Sequence, residues 1–436
     1  MSESSVADRP GEASAKVPRA RWLRVGVLLF LVYLVNYGDR SNVSVAAPSM
    51  VVDLQLSGTV TGVLLSAFFW GYVVTQVPGG WMAERFSAKW MIVWSLVLVG
   101  VTACLTGIVQ SYEALLAVRF VMGLAEGAVW PSFAVMFLQW FPGVERGRAV
   151  SLSQYAMPLA TVLVAPLAGW MIDIFDWRLM FILQGAPNFL LAAVFAWLVP
   201  DRPEDDRRLS TAERDYIVNN REQETKAEGT LLQAFRSPSL WVLCVLYFLW
   251  ITGMYAFGMW LPTVLGEASE AGAGAVGWLT ALPYAVAVVA MYFNSRWSDR
   301  SRHSRGWFVG ASLLLGGVAL VSQHFIQGGA LWSVIMLTIT GVGLYSAFGT
   351  WWTWAMSQVP RNQAGPSIGL INFAGNFGGI VGPIVVGAAA TGGDASSGLY
   401  MLGVVLIVAA VLAALLARRE QTTQANESQK ADTISA

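Results

Sequence analysis

The feature that most limits what this chain can become is the recurrence of long apolar stretches, such as MIVWSLVLVGVTACLTGIV and MLGVVLIVAAVLAALLA, with only short polar breaks between many of them. A bilayer offers no water to bare backbone groups, so a spanning segment is a helix of about 20 mostly apolar residues. Cut on that rule, the chain yields twelve candidate spans, at 21–50, 58–82, 89–110, 113–139, 147–173, 178–199, 239–265, 275–296, 307–327, 330–357, 364–391 and 396–417. With 56% of residues apolar and 12% charged, a soluble globular class is excluded. The expected fold is an all-α integral membrane protein of twelve transmembrane helices in two six-helix bundles.

Arg9, Lys16 and Arg19 precede the first apolar run, which is much longer than a signal-peptide core and carries no cleavage site, so the first span is expected to stay. Orientation follows from the basic residues. Arg40 and Arg119 lie within spans and Arg178 at the mouth of a hairpin, while the other Lys and Arg lie in the termini, at span ends or in even-numbered loops. By the positive-inside rule both termini are expected in the cytoplasm, with the chain as a multi-pass protein of a cell inner membrane. The net charge of zero hides this asymmetry, and nothing in the chain asks for a nucleic acid.

The polar segment 201–236 holds sixteen charges in 36 positions and divides six spans from six. This gives a tail at 1–20, a first bundle at 21–200, a linker at 201–236, a second bundle at 237–418 and a tail at 419–436. LSTAERDYI in the linker reads as an amphipathic helix capped by Ser210, with Glu213 closing a capping box. Trp81, Glu84 and Arg85 after the second span are echoed by Trp297, Asp299 and Arg300 after the eighth. Matching turns in two six-span halves suggest an internal repeat, the organisation of many secondary transporters.

Asp39, Arg40, Arg119 and Glu126 are the ionisable acids and bases inside the spans, all in the first half. A lone charge at the bilayer centre costs about 2.5–3.5 kcal/mol on insertion scales, so such groups pair, face the bundle interior and usually work. Arg119 and Glu126 are two turns apart on one helix face, whereas Asp39 and Arg40 point about 100° apart. Asp39 can therefore engage a partner while Arg40 faces a pathway, with Tyr37 one turn away on nearly the same face. Other polar groups at helical spacing are Tyr72 with Gln76, Gln154, and Asn372 with Asn376. The second half is rich in rings instead, with Trp250, Tyr255, Trp260, Tyr345, Trp351, Trp352 and Trp354. Cys104 and Cys244 sit alone in separate spans and His303 and His324 fall at loops, so no disulfide, metal site, cofactor or histidine proton relay is expected. No phosphate-cradling loop of the P-loop kind or paired-acid constellation supports an enzyme.

NYGDRSNVSVAAP, SAFFWGYVVTQVPGGWMAERF, RFVMGLAEGAVWPSFAVMFLQWFPGVERGRA, DRPEDDRRLSTAERDYI and GPSIGLINFAGNFGGIVGPIVVG, in that order, resemble the major facilitator superfamily. Within it they resemble the anion:cation symporters, the bacterial sugar-acid and organic-acid permeases. The resemblance implies proton-coupled uptake of a small organic anion such as a hexonate, aldarate or uronate by alternating access, by a protein acting as a monomer. It implies that Asp39 and Glu126 carry protons and that Arg119 exchanges partners among them. Arg40 matches the family's first-span arginine, which makes it the expected carboxylate clamp, because a guanidinium fork fits a carboxylate bidentately. Tyr72, Gln154, Trp352 and one or both of Asn372 and Asn376 are then expected to line the substrate cavity. One stretch departs from sugar-acid permeases: AVWPSFAVMF sets Trp130 and Phe133 where they tend to carry an asparagine-bearing segment. An aromatic or less hydroxylated carboxylate is thus the alternative substrate, while an exporter or a non-transporting receptor remain further readings.

Overall fold

A computed structural model describes residues 20–220, 237–301, 303–326, 328–359, 364–390 and 395–435. Residues 1–19 of the expected tail at 1–20 and the second part of the linker, 221–236, lie outside them. Twelve helices are long and apolar enough to cross a membrane. The first six are α1 (Trp22–Leu54), α2 (Gly58–Met82), α3 (Ala88–Ile108), α4 (Tyr112–Trp140), α5 (Gly143–Ile174) and α6 (Trp177–Leu198). The second six are α7 (Pro238–Ser269), α8 (Ala273–Arg300), α9 (Arg305–Phe325), α10 (Gly329–Ser357), α11 (Ala364–Ala389) and α12 (Ala395–Ser435).

Short polar residues start these helices where the sequence leaves orphan backbone donors. Ser57, Ser87, Ser111 and Asp176 accept from the backbone N–H three residues on, opening α2, α3, α4 and α6; each such cap is worth about 1 kcal/mol. Outward-facing Leu190, Trp197 and Leu331, each at least 70% exposed, are consistent with a lipid-facing surface. Several boundaries differ from the sequence expectation. The echoed segments are not open turns: Trp297 to Arg300 complete α8, and Ala83–Ser87 add a π-helical turn to α2 before the chain reverses at extended Ser87. His324 sits in the last turn of α9, stacked on Tyr400. The segment expected as a tail continues α12 to Ser435.

The two halves repeat in geometry. α1 and α7 both end on a left-handed non-glycine residue, Gln55 (φ 53°) and Glu270 (φ 52°), the two such residues among those described. α4 is interrupted at Gly127 and Ala128 and its counterpart α10 at Ala347, with a third interruption at Tyr155 in α5.

The halves meet along α2 with α11, α5 with α8, and α1 with α7. On the side of the membrane away from the described chain ends, two of these seams approach at backbone distance. A Cβ on Gly62 would lie 2.5 Å from the Pro383 carbonyl oxygen, and one on Gly277 would strike the Ala165 carbonyl oxygen. Only hydrogen fits there. Asp173, at the end of α5, accepts from the Gly274 N–H in the first turn of α8 (2.8 Å), so one half caps a helix of the other.

On the side of the chain ends the linker packs on the first half. Helix Thr211–Asn219 is capped by Ser210, whose Oγ accepts from the Glu213 N–H (3.2 Å). The Glu213 carboxylate does not complete the expected box. It turns to the backbone N–H groups of Ala20 and Arg21 and to Arg21 Nη1 (2.8 Å), because an incoming guanidinium outcompetes a single neutral donor. Arg21 also holds Glu145 (2.6 Å), and Arg24 holds Asp206 (2.9 Å).

Candidate functional site

A cavity lies between the halves. Its first-half wall comes from Tyr33 and Arg40 of α1, Tyr72 of α2, Trp130 of α4, and Gln154 and Met157 of α5. Its second-half wall comes from α7 (Tyr247, Ile251, Met254, Tyr255), α10 (Phe348, Trp352) and α11 (Asn372, Asn376). Tyr33, Trp130, Gln154, Phe348, Trp352 and Asn372 are part-exposed, whereas Tyr37, Tyr255, Tyr284 and Tyr345, which border a second hollow with Arg40, are buried. The cavity therefore opens toward the chain ends and is closed on the far side by the two glycine seams.

The structure brings Arg40, Tyr72, Gln154, Trp352, Asn372 and Asn376 to this one cavity. Tyr37 is set apart: it borders a second, smaller hollow that shares Arg40, with Tyr284 and Tyr345. Its ring still lies 5.4 Å from the Arg40 guanidinium carbon. Trp130 lines the cavity, while Phe133 is fully buried behind it against Tyr33 and Phe137. Among the tryptophans, Trp352 faces the cavity. Trp351 is buried and stacks on Tyr247 (5.1 Å), Trp354 donates to Glu420 (3.1 Å), Trp250 to the Leu344 carbonyl (2.9 Å) and Trp260 to the Pro383 carbonyl (3.1 Å). Those four hold helices together.

Arg40 is the centre of the site. Its guanidinium is boxed by the rings of Phe68 and Tyr72 (both 4.8 Å), Tyr37 and Phe69 (5.9 Å). These faces favour a cation that has lost its water. Nη2 donates to Glu126 and Nη1 to the Tyr255 hydroxyl (3.3 Å), leaving Nε without a protein partner. Tyr255 donates to Asn376 Oδ1 (3.3 Å), and Asn376 Nδ2 donates to Gln76 Oε1 (3.4 Å). This chain starts on Glu126, passes through the second half and returns to α2 in the first. Gln154 Oε1 is buried with no protein partner and borders the cavity.

The other two charges lie off the cavity. Asp39 accepts from Asn188 Nδ2 of α6 (2.7 Å). Arg119 is buried against Phe68, with Nη1 on the Met122 sulfur (3.3 Å) and with Nε and Nη2 unpartnered. Glu126 thus pairs across helices with Arg40 rather than along α4 with Arg119, and its Oε2 is unspent. Sequence reasoning missed Asn188, Tyr33, Tyr247 and Phe348, named Tyr255 only among the rings of the second half, and offered Gln76 as a candidate ligand, whereas it closes the hydrogen-bonded chain from Asn376. Tyr33 carried a signal, lying one helical turn before Tyr37; Asn188 looked like any asparagine in an apolar span. Cys104 and Cys244 are free thiols.

Twelve spans in two matching bundles around a cavity with a buried cation define a secondary transporter of the two-bundle, repeat-built kind. Residues 29–383 match the family model of the Major Facilitator Superfamily, and the chain belongs to that superfamily. It is a membrane transporter, not an enzyme. It is 30% identical over 420 residues to the "Putative tartrate transporter" of Agrobacterium vitis, covering 93% of this chain and 92% of that one. It is 28% identical over 436 residues to the "Probable galactarate/D-glucarate transporter GudP" of Escherichia coli, covering 93% and 95%. Among solved structures it resembles a bacterial homolog of the human lysosomal transporter Spinster in an inward-facing and occupied conformation (TM-score 0.76, 16% identity, 92% of this chain and 98% of that one), which supports the fold.

Proposed function

We propose that the protein imports a small organic anion together with protons, binding the anion's carboxylate on Arg40. The observation that carries this reading is the buried pair that Arg40, which lines the cavity, makes with Glu126, which does not. A carboxylate arriving from the cavity competes with Glu126 for the same guanidinium. Two carboxylates crowding one cation in a dry site repel, and a proton on Glu126 relieves the repulsion. Arg119, buried on the same helix with two unspent donors, is the second cation toward which a displaced Glu126 can turn. Asp39, held by Asn188, is the second proton carrier of this reading. The chain ends then face the cytoplasm of an inner membrane, as the basic residues argue, and the cavity described here is the cytoplasm-facing state. The names of the relatives make sugar acids such as tartrate, galactarate and D-glucarate the natural first test.

The experiment is uptake of labelled acid into proteoliposomes with and without an imposed pH gradient. Accumulation that needs the gradient and is lost in Glu126→Gln is expected. Gradient-independent accumulation overturns the proton reading.

A further inference from the structure

We propose that the substrate is a monocarboxylate whose body is an aromatic or similarly flat apolar ring, rather than a dicarboxylate or a polyhydroxylated chain. The inference rests on the reading of Arg40 as the carboxylate clamp and narrows what that clamp selects.

Arg40 is the one cation lining the cavity among the described residues, which include no lining Lys or His. Arg119 lies off it, against Phe68 and Met122. A tartrate or galactarate bound through one carboxylate on Arg40 would push its second carboxylate into space lined by rings and methionines. A buried charge without a partner is among the costliest things a site can hold.

The surface left for the rest of the ligand is largely aromatic. Seven of the lining side chains are aromatic, contributed from both halves: Tyr33, Tyr72 and Trp130 from one, Tyr247, Tyr255, Phe348 and Trp352 from the other. They form two ring-bearing walls with Arg40 between them. Tyr33 packs on Trp130 at 5.3 Å and Tyr247 on Trp352 at 5.4 Å, so the walls present joined ring surface. Flat aromatic ligands gain most from such surfaces through offset and edge contacts.

A hexonate needs partners for a hydroxyl on nearly every carbon. Near Arg40, the Tyr255 hydroxyl and the Asn376 amide already satisfy one another and Gln76. The other lining polar groups include Gln154, whose Oε1 is buried without a partner, Asn372, and the hydroxyls of Tyr33, Tyr72 and Tyr247. Most of that polarity is a single hydroxyl at the end of a ring, which suits a flat ligand with a few polar substituents better than a polyol, each of whose hydroxyls must find a partner or leave water for nothing in return.

The test is binding by purified full-length protein, measured by thermal shift and titration calorimetry against three sets of acids. These are aromatic monocarboxylates (benzoate, 4-hydroxybenzoate, phenylacetate), a hydroxylated monocarboxylate (gluconate) and dicarboxylates (tartrate, galactarate), each with wild type, Arg40→Ala and Trp130→Ala. The expected result is at least tenfold tighter binding of an aromatic monocarboxylate than of gluconate or either dicarboxylate. Arg40→Ala should abolish that binding, and Trp130→Ala should weaken it at least fivefold with a smaller effect on gluconate. Tartrate, galactarate or gluconate binding tightest, still in an Arg40-dependent way, overturns this inference and leaves the clamp standing. Binding indifferent to Arg40→Ala, or no binding in any set, overturns the clamp and this inference with it.

Discussion

Replacing Gly62 by alanine adds one methyl group at the seam that closes the far side of the cavity. In the structure that methyl carbon would lie 2.5 Å from the Pro383 carbonyl oxygen and 3.2 Å from both Pro383 C and Ile384 Cα. All three neighbours are backbone, so no side chain can swing away and α2 must move off α11. Overpacking of this kind costs about 1–3 kcal/mol. The helix-propensity gain of alanine over glycine, about 1 kcal/mol, applies with the seam shut or parted and cancels. The variant should therefore shift the balance toward the state open on the far side by about 5- to 150-fold. Spin labels at exposed rim positions, Val52 of α1 and Leu331 of α10, report the separation of the halves as a distance distribution. Gly369→Ala in α11, where a Cβ meets nothing within 4 Å, is the matched control. A Gly62→Ala distribution indistinguishable from that control refutes the claim that backbone contact at this seam holds the far side shut.

Four further outcomes are expected. Glu126→Gln should remove pH-driven accumulation while sparing substrate exchange across proteoliposome membranes; counterflow assays read the second, and loss of both makes Glu126 structural. Arg40→Lys should weaken binding nearly as much as Arg40→Ala, because a point charge cannot replace a two-pronged donor, and near-native calorimetric affinity in the lysine variant disproves the bidentate clamp. Arg21→Ala leaves Glu213, itself fully buried, without its cation; losing one partner of a buried pair costs about 3–5 kcal/mol, so thermal unfolding in detergent should fall by several degrees, and an unchanged midpoint argues against a linker docked by charge. Trp352→Ala and Asn372→Ala should reorder the preference among acids with the pH dependence intact, whereas Asp39→Asn should alter the pH dependence first; competition profiles at two pH values separate these.

The spans and the two-bundle plan were legible because a bilayer makes a local demand: each helix must satisfy its own backbone and present apolar side chains over its own length. The four buried charges were legible for a similar reason, since a charge in an apolar run is costly wherever its partner sits. Partner choice was not legible. Periodicity along α4 relates Arg119 to Glu126, but the packing of α1 on α4 hands Glu126 to Arg40 and leaves Asp39 to Asn188, 149 residues away in the chain. Which hollow a ring borders was equally hidden. Tyr37 shares a face with Arg40 at one turn's spacing, yet its ring borders a different hollow. In GTWWTWAMSQ three rings compete for one direction. The fold turns Trp352 to the cavity and gives Trp351 and Trp354 to packing, which spacing alone does not decide. The linker was half legible: Ser210 caps as its type dictates, while Glu213 left the box for a cation that only the fold brings near.

The balance of the four buried charges has a consequence for what energises the transporter. Asp39 and Glu126 offset Arg40 and Arg119, all four lie in one half, and the cavity-lining residues of the other half carry no formal charge. With Asp39 and Glu126 both ionised, the empty site carries a net charge of zero. In the proposed cycle a second proton on Asp39 would add one positive charge per turnover, whereas one bound carboxylate with a single proton, on Glu126 alone, keeps the sum at zero and moves no charge through the membrane field. Voltage, which acts at about 2.3 kcal/mol per charge per 100 mV, neither pulls nor resists such a cycle, and the pH difference alone sets how far a monoanion is concentrated. A dianion carried with a single proton would instead be driven back by an interior-negative membrane. Uptake measured under valinomycin-clamped potentials, at fixed pH difference, should be flat for the one-proton monocarboxylate cycle.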